Sequence, residues 1–70
     1  MEKVQINTEY IKLDQFLKWA GACENGAMAK GLIIDGYVKV NGNIEIQRGK
    51  KLRNGDIVEF EQKKYEVVQE

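Results

Sequence analysis

The 70-residue sequence contains no histidine, no proline and no serine, a single threonine (Thr8) and a single cysteine (Cys23). Each absence closes a route. Without histidine there is no side chain whose ordinary titration falls near neutral pH, so general acid–base work has no natural carrier. Nothing is present to activate the Cys23 thiol as a nucleophile, and an idle or packed cysteine near a helix end is the expectation. A zinc site would have to be built from carboxylates alone, which is not how such sites are made. One cysteine cannot form an internal disulfide, and with no leader-like segment it suits a reducing cytoplasm. No apolar run approaches the roughly 20 residues of a membrane-spanning helix. No glycine-rich loop precedes a helix as phosphate cradles require. The expectation is a non-enzyme with no cofactor and no metal, folded as one domain over residues 1–70.

Charge is present in quantity but not in balance along the chain. The 11 basic and 11 acidic side chains cancel overall. Residues 1–24 nevertheless sum to −1, residues 25–55 to +4 and residues 56–70 to −3. A neutral molecule of this kind can still present one strongly positive face. The densest stretch is Arg48-Gly49-Lys50-Lys51-Leu52-Arg53, four cations within six positions around a lone apolar anchor, Leu52. Such a turn is self-repelling, and a polyanion relieves the repulsion while releasing counterions. The bland alternative is a solvated loop paired with Glu45, Asp56 or Glu59.

The hydrophobic pattern supplies the architecture. Val4-Gln5-Ile6 alternates as a first strand, and Tyr10-Ile11 leads towards a helix. Leu13, Phe16, Leu17 and Ala20 recur at i, i+3, i+4 and i+7, an amphipathic stripe closed by Gly21. Lys12, Gln15 and Trp19 run along one flank of that stripe, with Lys18 further round. Asn25 is a fitting N-cap for a second helix over 26–35 whose inner face is Met28, Ala29, Leu32 and Ile33. Gly31 in its middle costs about 1 kcal/mol relative to alanine, and close packing, ahead of close approach by a ligand, is the expected reason for it.

Residues 29–42, AKGLIIDGYVKVNG, organise the rest. A helix end is broken at Asp35-Gly36. A strand follows with Val38 and Val40 on one side and Tyr37 and Lys39 on the other. Asn41-Gly42 then supplies the strongest short hairpin signal. Ile44 and Ile46 are expected to point inward on the returning strand. Residues 57–60 form a strand with Val58 and Phe60 together, residues 62–64 a turn, and residues 65–68 a last strand able to pair with residues 4–6. The element order is β-α-α-β-β-β-β, an α+β domain.

Four segments in this order carry a resemblance: Lys12-Leu13-Asp14-Gln15-Phe16-Leu17-Lys18, Ala29-Lys30-Gly31-Leu32-Ile33, Gly36-Tyr37-Val38-Lys39-Val40-Asn41-Gly42 and Gly55-Asp56-Ile57-Val58. Together they resemble the S-four RNA-binding domain, named after the fourth protein of the small ribosomal subunit. The stand-alone length and the 48–52 run are similar to its small bacterial YaaA-like and YbcJ-like subfamily. The resemblance implies a two-helix hairpin packed on a small, mostly antiparallel sheet, the alpha-L arrangement. It also implies a basic face laid on structured RNA, ribosomal or otherwise folded, with no catalysis. A ribosome-associated, cytoplasmic, monomeric module follows from the same likeness. Where the family commonly has an arginine early in its second helix, this chain has Asn25-Gly26.

The residues expected to bind RNA are Lys12, Lys18, Lys30, Tyr37, Lys39, Asn41, Arg48, Lys50, Lys51 and Arg53. The lysines act as point charges on phosphate, and the arginines as forks on phosphate or planes over a base. Tyr37 or Trp19 offers a ring for stacking, or simply packs. The rival reading is a protein-interaction adaptor whose basic loop docks on an acidic partner. The RNA reading requires these scattered cations to converge on a single side of the fold.

Overall fold

A computed structural model describes residues 1–70. Seven strands and two helices follow one another as β1 (Glu2–Ile6), β2 (Ile11–Lys12), α1 (Leu13–Trp19), α2 (Gly26–Ile34), β3 (Lys39–Val40), β4 (Asn43–Ile44), β5 (Lys51–Leu52), β6 (Ile57–Phe60) and β7 (Lys63–Gln69). Five strands form one sheet in the order β1-β7-β6-β3-β4, and β2 pairs with β5 apart from it. All pairings are antiparallel except β1 with β7, which is parallel with Val4 opposite Val67. The fold is therefore α+β, with a helical hairpin on a mostly antiparallel sheet.

One row of the sheet, Val40–Val58–Tyr65, faces the core, while the next row, Lys39–Glu59–Lys64, faces out. Onto the inner row α1 brings Leu13, Phe16 and Leu17, and α2 brings Ala29 and Ile33, all fully buried. Burying each of the larger ones stabilises the fold by about 1.5–3 kcal/mol. Phe16 meets Tyr65 edge to face, with centroids 6.4 Å apart and an interplanar angle of 82°, the arrangement that the ring quadrupoles favour. Leu52 is fully buried, so the basic loop is anchored in the core at its midpoint.

Local signals place the helices. Asn25 accepts from the Met28 N–H at 2.8 Å and caps α2. Gly36, at φ +84°, ends it. In the hairpin, Asn41 (φ +52°) and Gly42 (φ +87°) form the expected two-residue turn.

Several expectations need correction. Ile44 and Ile46 do not point inward, being 61% and 60% exposed. The tight hairpin sets Val40 opposite Asn43 and Lys39 opposite Ile44. Directly opposed residues share a face, so Ile44 goes out with Lys39. Met28 is 45% exposed and Leu32 only half-buried, because α2 reaches the core through the narrow stripe of Ala29 and Ile33. Gly31 has no packing reason, since a Cβ there would meet nothing within 4 Å.

Tyr10-Ile11 does not simply run into the first helix, for Ile11 and Lys12 form β2. The turn expected at 62–64 lies at Glu61 and Gln62, with φ +53° and +66°. Lys63 pairs with Phe60 and already belongs to β7. The register that aligns Val58 with Tyr65 leaves only two residues for that connection, so two ordinary side chains adopt the left-handed conformation.

Candidate nucleic-acid interface

The N-terminus of α1 builds the site. The first amides of a helix have no partner within it, and Lys12, the N-cap residue, supplies no side-chain cap. Carbonyls of the basic loop take their place. The Leu13 N–H donates to Lys50 O at 2.8 Å, and the Asp14 N–H to Arg48 O at 3.1 Å. These bonds, with the β2–β5 pairing, fix the 48–53 loop against α1. Ile11 stands opposite Leu52, and Lys12 opposite Lys51. With Leu52 buried, Lys12 and Lys51 share the exposed side.

Two lysines directly opposed in a ladder destabilise it unless an anion intervenes. Neither lysine forms an ion pair, since the single one of the molecule joins Arg48 Nη1 to Asp14 Oδ2 at 3.8 Å. Lys51 Nζ lies 4.9 Å, and Arg53 Cζ 5.7 Å, from the centre of the Tyr10 ring, which holds both cations in place. Lys12, Asp14, Gln15, Arg48 and Gly49 line a shallow concavity. A neighbouring one is lined by Ile11, Gln15, Lys18 and Trp19. Gln15 is common to both, so the surface is continuous.

Asp56 links this region to the hairpin. Its carboxylate accepts from the Arg53 N–H at 2.8 Å and from Asn41 Nδ2 at 3.1 Å. The Asn41 side-chain oxygen in turn accepts from the Ile57 N–H at 2.9 Å. The Asn41 amide is thus engaged at both ends within the fold.

Of the expected residues, the structure brings Lys12, Lys18, Arg48, Lys51 and Arg53 onto elements joined around α1 and β5, with Lys50 exposed in the same loop. Lys30 stands exposed on α2. Tyr37 and Lys39 are exposed on the hairpin, where Lys39 has Glu59 as its cross-strand neighbour. The grouping of cations is therefore real but partial. Tyr10 carries no sequence signal that marks it for the site, whereas Gln15 already lies on the flank of the α1 stripe shared by Lys12 and Trp19. Only the pairing of residues 11–12 with 51–52 gives Tyr10 its position beside the cations.

Other chemistry lies elsewhere. Burial, and then the Glu61 carboxylate, push the Cys23 thiol up from its ordinary value. Burial, with Glu2, Glu61 and Cys23 following, pushes the Tyr65 hydroxyl up likewise. No group of three or more His, Cys, Asp or Glu side chains is placed to hold a metal ion. No helix is long and apolar enough to cross a membrane.

The sequence pattern of the S4 domain matches residues 4–68. The chain belongs to the S4 domain family. Among its relatives is the probable ribosome maturation protein RlbA of Bacillus subtilis (strain 168). The two are 45% identical over 58 residues, which span 83% of this chain and 82% of RlbA. The putative RNA-binding protein YbcJ of Escherichia coli (strain K12) is 37% identical over 59 residues, 84% of each chain. The solution structure of E. coli YbcJ, described as revealing an αL motif involved in RNA binding, superposes with a TM-score of 0.74 at 33% sequence identity. That superposition covers 97% of this chain and 87% of YbcJ. Within this S4 domain, the loop following the hairpin and the start of the first helix form one cationic surface.

Proposed function

We propose that this S4 domain is a non-catalytic RNA-binding module, with residues 1–70 acting as a single domain. Its target is structured RNA, with ribosomal RNA as the leading candidate and the ribosome as the setting. It acts as a monomer in the cytoplasm. The observation that carries this reading is the opposed pair Lys12 and Lys51, its backbone held by the ladder and by bonds to α1, with neither lysine in an ion pair. An RNA phosphate is the ligand such a pair lacks. Lys12, Lys18, Arg48, Lys50, Lys51 and Arg53 supply the main contacts, Lys30, Tyr37 and Lys39 extend them, and Asn41 shapes the turn beside them. The relatives named for RNA binding and ribosome maturation support the same direction.

A salt titration of RNA binding tests it. The double variant Lys50→Glu, Lys51→Glu should bind more weakly and show a flatter dependence on salt. Each phosphate that is no longer neutralised lowers the log–log slope by roughly 0.7 to 0.9, so two lower it by about 1.4 to 1.8. Unchanged affinity and slope at moderate salt would refute the assignment. Binding that survives nuclease treatment in a pull-down would favour an acidic protein partner instead.

A further inference from the structure

We infer that Trp19 is a stacking platform for an unpaired nucleobase, so that the RNA recognised is a folded one presenting an unstacked nucleotide beside a helix; this rests on the RNA-binding reading. Trp19 is the last residue of α1 and is 64% exposed, unusual for the largest apolar side chain. Its one polar group is already satisfied, because Nε1–H donates to Gln5 O at 2.9 Å. That bond orients the indole and leaves a π-face with no further hydrogen-bonding demand. A ring fixed beforehand loses little freedom when a base stacks on it.

The surroundings say on which side the base lies. One concavity beside the ring is lined by Gln5, Ile6, Asn7 and Glu70, and carries negative charge. The other is lined by Ile11, Gln15 and Lys18, and carries positive charge. A nucleotide brings its phosphate with it, so it takes the second. Gln15 also lines the concavity with Lys12 and Arg48, which makes the platform continuous with the proposed phosphate contacts. Lys12 and Trp19 are separated by about 10 Å of rise along α1. The Gln15 amide, both donor and acceptor, stands where it can meet the edge of the stacked base.

The other exposed rings are less suited. Tyr10 already carries Lys51 and Arg53 over its ring. Tyr37 is exposed with no side-chain hydrogen bond to orient it. Bases inside an A-form helix are stacked on one another and offer no free face, so only an unpaired nucleotide can use Trp19.

Trp19 is the only tryptophan, so its intrinsic fluorescence reports the site directly. The probes are two RNA duplexes made from separate complementary strands of the same sequence, one carrying a single bulged 2-aminopurine and the other fully paired. The expected result at low salt is quenching of Trp19 by the bulged RNA, tighter binding of it than of the paired RNA, and loss of that preference in Trp19→Ala. The loss should be about 5- to 150-fold in affinity, with an unchanged salt slope. Trp19→Phe, which keeps an aromatic face but lacks the bond to Gln5 that orients it, should bind between the native chain and Trp19→Ala and guards against a folding defect. Bulged-RNA binding that is as tight in Trp19→Ala as in the native chain, with no change in native fluorescence, overturns the platform and leaves the RNA reading standing. No binding of either duplex by the native chain overturns both.

Discussion

Replacing Asn41 with alanine removes two things that the structure separates. One is the pair of side-chain bonds, to Asp56 Oδ1 at 3.1 Å and from the Ile57 N–H at 2.9 Å. Both are solvent-exposed, so each contributes at the low end of the usual range, about 0.5 kcal/mol. The other is tolerance of φ +52°. A left-handed conformation costs an ordinary side chain about 1–2 kcal/mol, and asparagine less. The sum for Asn41→Ala is about 2 kcal/mol. In a domain of this size that lowers Tm by about 10 °C. Asn41→Gly removes the same bonds without the conformational strain and should cost about half as much. Urea unfolding of the three proteins, followed by far-ultraviolet circular dichroism, reads both differences. Equal losses for alanine and glycine would refute the strain argument. A glycine variant as stable as the native chain would refute the bonding argument.

Two further outcomes are expected. Gly31→Ala should stabilise the protein by about 1 kcal/mol in urea unfolding, since the position is helical and a Cβ there meets nothing within 4 Å; a loss of stability would show that something packs there. The Cys23 thiol, raised above its ordinary value of 9.0 by burial first and Glu61 second, releases its proton more readily when unfolded. Its contribution is therefore complete below about pH 9 and is lost as pH rises through the folded value. The urea midpoint of the native chain should begin to fall near pH 9. In Cys23→Ala that onset should move towards 10.0, the ordinary value of Tyr65, whose hydroxyl is also raised; identical pH profiles would dismiss the effect.

What the sequence revealed was whatever a single element encodes by itself. The stripe of Leu13, Phe16 and Leu17, the alternation of Val38 and Val40, the Asn25 cap and the Asn41-Gly42 turn all depend on neighbours a few residues away. Alternation shows that a strand has two faces but not which one meets the core. Ile44 and Ile46 therefore read as inward-facing, and only the register opposite Lys39 turns Ile44 outward. The turn at Glu61 and Gln62 carries no glycine or asparagine to announce it.

The site divides in the same way. The crowding of cations at 48–53 was legible as composition. Their attachment to α1 was not, because it runs through backbone bonds from Leu13 and Asp14 to carbonyls more than thirty residues away. The β2–β5 ladder is two residues long on each side and has no pattern of its own. Lys39 is equivalent to the other cations in sequence, and only the sheet sets Glu59 next to it.

β7 enters the sheet between β1 and β6, although it is the last of the strands in the chain. A polypeptide leaving the ribosome from its N-terminus thus presents β1 long before the neighbour that will complete it exists. Until residues 63–69 arrive, Val4 and Ile6 lack the strand that shelters them, and Phe16 lacks Tyr65. Completion of the sheet consequently waits for residues 63–69. A nonsense mutation after Gln62 would leave every cation of the proposed interface encoded, on a fold missing the strand that joins β1 to β6.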